Sequence, residues 1–150
     1  TRKITQGLCK VHEGILDCIY LGNLNSLRDW GHAADYVEMQ WKILQQKQPK
    51  DYVIASGRQE SVRTFIELVT LKLGWGGIIW EGEGVNEIGR RSDNGKVVVK
   101  IDKKYFRPTE VSTLLGDASK AKKELGWVPK ITLEQLITEM VEEDLNLLRC

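Results

Sequence analysis

The chain has 150 residues, of which 41% are apolar and 29% charged, enough to bury one sizeable core and in the ordinary balance for a globular domain. Its 22 basic and 21 acidic residues are dispersed and leave a net charge of +1, so no basic face for nucleic acid and no acidic disordered arm is expected. No run approaches the roughly 18 consecutive apolar residues of a membrane span, and Thr1-Arg2-Lys3 does not lead into the apolar core of a signal peptide. Cys9, Cys18 and Cys150 are odd in number, widely spaced, and lack a CxxC pair or a nearby histidine cluster. That argues against a disulfide framework and a structural metal site, and for a reduced, cytoplasmic setting. Residues 1–150 read as one domain or one large piece of one, and the absence of an initiator methionine favours a piece.

In chain order, Thr1 to Glu13 reads as a helix with Ile4, Leu8 and Val11 on one side, weakened by Gly7. Asp17 to Leu21 reads as a short strand broken by Gly22-Asn23. From His32 to Gln46, Ala33, Val37, Trp41 and Leu44 recur at helical spacing and define one face. Pro49-Lys50 marks a turn into a buried strand at Tyr52 to Ala55. Ser61 is placed to cap a helix carrying Phe65, Leu68 and Val69, with Gly74 as its stop.

Ile78-Ile79-Trp80 opens a further strand, and Asp93-Asn94-Gly95 signals a turn before the alternation of Val97, Val99 and Ile101. Asp117 can cap a short helix that Gly126 ends. Thr132 and Gln135 form a capping-box pattern for a last helix with Leu136, Met140 and Leu147 on one face, beside Ile137, Val141 and Leu148. Alternating helices and strands imply an α/β class with four or five strands.

Candidate chemistry is sparse. Gly82-Glu-Gly84-Val-Asn-Glu-Ile-Gly89 is the one glycine-rich segment, but its third glycine is misplaced for a dinucleotide fingerprint and no amphipathic helix follows. No nucleophile elbow or zinc motif is present, and His32 reads as a packing or locally bonded residue because no carboxylate or nucleophile is paired with it in sequence. Arg28, in Ser26-Leu-Arg-Asp-Trp30, and Arg107, in Tyr105-Phe-Arg-Pro-Thr-Glu110, each sit beside an aromatic residue and a turn former. Two such guanidinium forks suit a diphosphate clamp. The other reading is ionic: Arg28 with Asp29 or a nearby acid, and Arg107 with Glu110. Spacing leaves both open.

Thr1-Arg-Lys-Ile-Thr5, Leu21-Gly-Asn-Leu-Asn-Ser-Leu-Arg-Asp-Trp-Gly-His32, Tyr105-Phe-Arg-Pro-Thr-Glu-Val111 and Leu115-Gly-Asp117 together resemble the GDP-mannose 4,6-dehydratase family. Lys120-Ala-Lys-Lys-Glu-Leu-Gly-Trp-Val-Pro129 resembles a segment shared across the extended short-chain dehydrogenase/reductase superfamily. The resemblance implies an α/β fold forming the carboxyl-terminal, substrate-binding portion of such an enzyme, with the Rossmann core largely missing. It implies GDP-mannose as substrate, NADP held by a missing amino-terminal domain, a cytoplasmic homo-oligomer when full length, and GDP-4-keto-6-deoxymannose as product.

The family's catalytic groups and Tyr-x-x-x-Lys pair have no counterpart in this chain, so the resemblance assigns none of its residues to catalysis and none to cofactor or metal. Its nucleotide-sugar contacts map onto Lys3, Arg28, Arg107 and Glu110. One departure is Glu60, where relatives often carry a histidine or an aromatic residue before Ser-Val-Arg. Alternatives are another nucleotide-sugar epimerase, dehydratase or reductase of the superfamily, or a non-catalytic nucleotide-sugar-binding module. Trp41, Trp75, Trp80 and the last helix are candidates for apolar surface that docks against the rest of a longer enzyme, the alternative for each being the local core, the more common place for large apolar side chains.

Overall fold

The computed structural model describes residues 1–149; Cys150 lies outside them. Helix α1 (Arg2–His12) buries Ile4, Leu8 and Val11 as expected, together with Thr5 and Cys9. Gly7 is tolerated because it faces strand β1 (Ile19–Leu21): a side chain there would collide with Ile19. Strand β1 lies parallel to β6 (Val97–Ile101), which pairs antiparallel with β5 (Ile88–Arg91), and β5 pairs with β4 (Ile78–Glu81). The sheet order is β1-β6-β5-β4. Asp93-Asn94-Gly95 closes the β5–β6 hairpin, with Gly95 N donating to Arg91 O at 2.9 Å.

Helices α1, α3 (Val62–Lys72) and α5 (Leu133–Arg149) pack on one another, and α1 also packs on β1. Their contact buries Leu8, Phe65, Ile66, Val69, Ile137 and Val141 in one cluster with Val98 and Val99 of the sheet. The helix ends follow local chemistry. Ser61 accepts from Thr64 N at 3.0 Å to start α3, and Gly74 follows its end. Thr132 and Gln135 exchange the two bonds of a capping box at α5. Asp117 accepts from Ser119 N at the start of α4 (Ser119–Leu125), and Gly126 is its left-handed C-cap.

The folded chain refines the sequence reading at α2, at residues 52–55, at α5 and at the tryptophans. In α2 (Ala33–Leu44) the face of Ala33, Val37, Trp41 and Leu44 points outward, with Trp41 61% and Leu44 79% exposed, while Asp35 and Met39 are buried. Polar anchoring sets this rotation: the Asp35 carboxylate accepts from Lys130 N and Ile131 N, and its carbonyl accepts from Trp127 Nε1. Met39 then packs with Trp127 and Ala121 in a second, smaller core.

Residues 52–55 form no paired strand; Tyr52 and Ile54 pack on the smaller core instead. The strand is β3 (Gln59–Ser61), antiparallel to β2 (Leu27–Asp29). In α5 the inward residues are Ile137, Val141 and Asp144, whereas Leu147 is exposed. Of the candidate tryptophans, Trp41 is on the surface, whereas Trp75 takes the core alternative, fully buried, and Trp80 packs on the core with its Nε1 donating to Glu67 at 2.8 Å.

Among the described residues no helix is long and apolar enough to cross a membrane, and Cys9 and Cys18 are free thiols. Burial, reinforced by the Asp144 and Glu13 carboxylates, pushes the Cys9 thiol up to about 11. At pH 8 a thiol-alkylating reagent is expected to modify half-buried Cys18 and leave Cys9 unmodified in the native state, as read by peptide mass spectrometry. Phe65→Ala is expected to lower unfolding free energy by about 3–5 kcal/mol in urea titration, since Phe65 is fully buried among the three helices.

Candidate functional site

The β2–β3 ribbon holds one side of the candidate site and the irregular segment 105–116 holds the other. Leu27 N of β2 donates to Ser112 O at 2.8 Å, and Gln59 of β3 donates to the Thr113 hydroxyl at 2.7 Å, so the segment runs along the ribbon. Arg28 reaches across this seam. Its Nη1 donates to Leu27 O at 2.7 Å and Val111 O at 3.0 Å, and its Nη2 meets Glu110 Oε1 at 2.7 Å. Both side chains of the pair are about three-quarters buried, with 25% and 21% exposed.

Arg28 therefore lies in strand β2 and pairs with Glu110, not with its neighbour Asp29. Asp29 is committed elsewhere: its two oxygens accept from Ser56 N at 2.8 Å and Gly57 N at 2.9 Å, which fixes the loop before β3. Glu110 is taken by Arg28, and Arg107 forms no ion pair among the described residues. The ionic reading of the sequence thus holds for Arg28 and fails for Arg107.

Asn23 holds the backbone of Arg107 at both ends. Its Nδ2 donates to Arg107 O at 2.9 Å and its Oδ1 accepts from Arg107 N at 2.8 Å. The side-chain amide mimics a strand neighbour at a place where Pro108 prevents regular pairing. Beside it, Gly22 lets the chain pass closely, because any side chain at that position would overlap the Tyr105 carbonyl. Asn23 reads in the sequence only as a strand breaker; its bond partners lie 84 residues away.

Lys3, near the start of α1, sits with Nζ 3.5 Å from the centroid of the Tyr105 ring. Segment 105–116 thus touches Lys3 at one end and Arg28 towards the other, with Arg107 and Glu110 between. The structure does not bring all four into one cavity. Arg28 borders a hollow of about 320 Å³ with Asp29, Tyr36, Ala55 and Leu115. Lys3 borders another, of about 380 Å³, with Cys18, Tyr20 and Tyr105. Burial, aided by the Asp29 and Asp35 carboxylates, raises the Tyr36 phenol above its usual range. Sequence spacing does not single out Tyr36.

The arrangement suits anion binding. Lys3 and Arg28 each contact segment 105–116, to which Arg107 belongs, and Arg28 retains its Nε–H and one Nη2–H after the bonds named above. No cluster of metal-ligating side chains occurs among the described residues. His32 is used locally: its Nδ1 accepts from Ala34 N at 3.0 Å and its Nε2 lies 3.1 Å from Glu139. The residues present do not fit a dinucleotide either. Gly82 to Gly89 spans a 3-10 turn between antiparallel β4 and β5, with no helix start to meet a pyrophosphate.

The fold is shared with solved nucleotide-sugar epimerases and dehydratases, among them UDP-glucose 4-epimerase of Thermotoga maritima, with a TM-score of 0.68 over 97% of this chain and 38% of that one, at 22% identity. The chain also superposes on RMD from Pseudomonas aeruginosa, solved in complex with NADPH, with a TM-score of 0.74 over 97% of this chain and 42% of that one, at 16% identity. The sequence narrows the class: residues 1–140 match the model of the GDP-mannose 4,6 dehydratase family, and the chain belongs to that family. It is 54% identical to GDP-mannose 4,6-dehydratase of Vibrio cholerae over 97% of this chain and 42% of that protein. It is 50% identical to GDP-mannose 4,6 dehydratase of Homo sapiens over 99% of this chain and 40% of that protein. The chain thus spans about two fifths of the length of these relatives.

Asn23→Ala is expected to speed amide hydrogen exchange through 105–111 and to cost about 1 kcal/mol in urea, the value of bonds made at an exposed site. Unchanged exchange at Arg107 would show that Asn23 does not hold the segment.

Proposed function

We propose that this chain is the carboxyl-terminal, nucleotide-sugar-binding portion of a GDP-mannose 4,6-dehydratase, with Lys3, Arg28, Arg107 and Glu110 as its contacts to the GDP-sugar. The observation that carries the reading is the seam itself. A guanidinium about three-quarters buried, oriented by Glu110 and two carbonyls, keeps donors free, and Arg107 of the same segment 105–116 has no ion partner among the described residues. A diphosphate matches that donor set, because planar guanidinium forks meet phosphate oxygens in pairs. Glu110 spends one oxygen on Arg28, and the other is suited to accept from ribose hydroxyls.

The parent protein, on this reading, converts GDP-mannose to GDP-4-keto-6-deoxymannose on the route to GDP-fucose, as a cytoplasmic homo-oligomer with no nucleic-acid partner. NADP would be held outside residues 1–150, in keeping with the poor fit of Gly82–Gly89 to a dinucleotide. On this reading the residues of this chain bind and orient the nucleotide, and the groups that move protons in the reaction lie outside residues 1–150.

Calorimetric titration with GDP-mannose, with UDP-glucose as competitor, tests the reading. Saturable binding is expected, and Arg28→Ala and Arg107→Ala are each expected to weaken it by about 10- to 100-fold, the value of one charge-assisted contact. Equal binding by a folded Arg28→Ala variant would exclude the clamp.

A further inference from the structure

Strand register places Arg28 directly opposite Glu60 in the β2–β3 ribbon. Opposed residues in an antiparallel pair share a face, with their Cβ atoms about 5 Å apart. A carboxylate so close to the arginine would compete with Glu110 for it and repel an incoming phosphate. The Glu60 side chain is only 26% exposed, so water screens it poorly. It pairs with Arg58 and forms no ion pair with Arg28: Arg58 meets Glu60 Oε1 through Nε and Nη2, both at 3.0 Å.

Arg58 is itself held in place from two sides. Its Nη1 pairs with Glu134 at 3.0 Å, in the first turn of α5, where a negative charge is favoured. Its backbone N donates to the Ser56 hydroxyl at 3.2 Å, in the loop that Asp29 fixes. Asp29 adjoins Arg28 in β2, so one turn of chain links the arginine of the seam to the arginine that restrains its rival acid.

We infer that Arg58 is a positioning residue that sets the anion affinity of Arg28 by holding Glu60 away from it. The inference rests on the anion-binding reading of Arg28 and goes beyond it, because neither Arg58 nor Glu60 need touch the ligand. Removing Arg58 leaves Glu60 with Arg28 as its nearest cross-strand cation. Glu60 then takes the Nε–H and Nη2–H that Arg28 otherwise keeps free, and the donor edge is lost to the anion.

Two readouts on the intact protein test this, one without ligand. The Arg28 Nε nitrogen NMR signal is expected to move in Arg58→Ala and to stay at its original position in the Arg58→Ala/Glu60→Gln double variant. GDP affinity is expected to fall by roughly 3- to 10-fold in Arg58→Ala, and to return to or exceed the original value in the double variant, the scale of one partly screened charge. An Arg28 signal that does not move in Arg58→Ala overturns the inference. So does an equal loss of GDP affinity with and without Glu60, which would make Arg58 a direct ligand contact. Arg28→Ala with undiminished GDP binding would instead overturn the anion-binding reading, whatever the ligand-free signal does.

Discussion

Strand β6 is the constraint from which the architecture follows. Val98 and Val99 are both fully buried in one core cluster, at a point where the ladder to β5 slips by a residue: Gly89 pairs with Val99 and Arg90 with Val97, leaving Val98 without a direct partner there. The strand is paired on both edges, by β1 on one side and β5 on the other. Helices α1, α3 and α5 supply much of the cover, in the same cluster as Phe65 and Val69. With β6 held this firmly, Asp102 at its end can start the turn that launches segment 105–116, through bonds from Tyr105 N and Phe106 N to its carbonyl. The candidate site is thus built from the loop that leaves the best-buried strand.

Where regular pairing stops, isolated polar side chains take over its work. Asn23 replaces a neighbouring strand for Arg107, Asp29 satisfies the amides of Ser56 and Gly57, and Asp35 satisfies those of Lys130 and Ile131. Each anchor meets the rule that backbone groups removed from water need partners. Together they hold segment 105–116, the loop before β3 and the entry to α5 without adding an element of secondary structure. An anion site gains from this arrangement, because its donors are oriented before a ligand arrives and little ordering remains to oppose binding.

The orientation of charge around Arg28 extends the same logic. Glu110 and Glu60 both lie within reach of the β2 arginine by position, but one orients it and the other is withdrawn by Arg58. The difference lies in their partners: Glu110 has no second cation in the ion pairs of the described residues, whereas Glu60 has one, held in turn by Glu134.

The sequence by itself determined what local chemistry controls. The caps at Ser61 and Thr132, the stops at Gly74 and Gly126, the Asp93-Asn94-Gly95 hairpin and the burial of Ile4, Leu8 and Val11 were all legible, because each depends on residues within a turn or two. The arginines of the site were legible as well, through the motifs around them. Tertiary structure decided the rest. The apolar stripe of α2 faces outward because Asp35 and Met39 are claimed by residues some ninety positions later, a pull that helical periodicity does not contain. Residues 52–55 are apolar enough for a strand but have no paired partner, whereas Gln59–Ser61 is polar and becomes one because β2 is alongside. Which carboxylate meets Arg28, and that Asn23 secures Arg107, depended likewise on contacts 82 and 84 residues distant, which only the closed fold brings together.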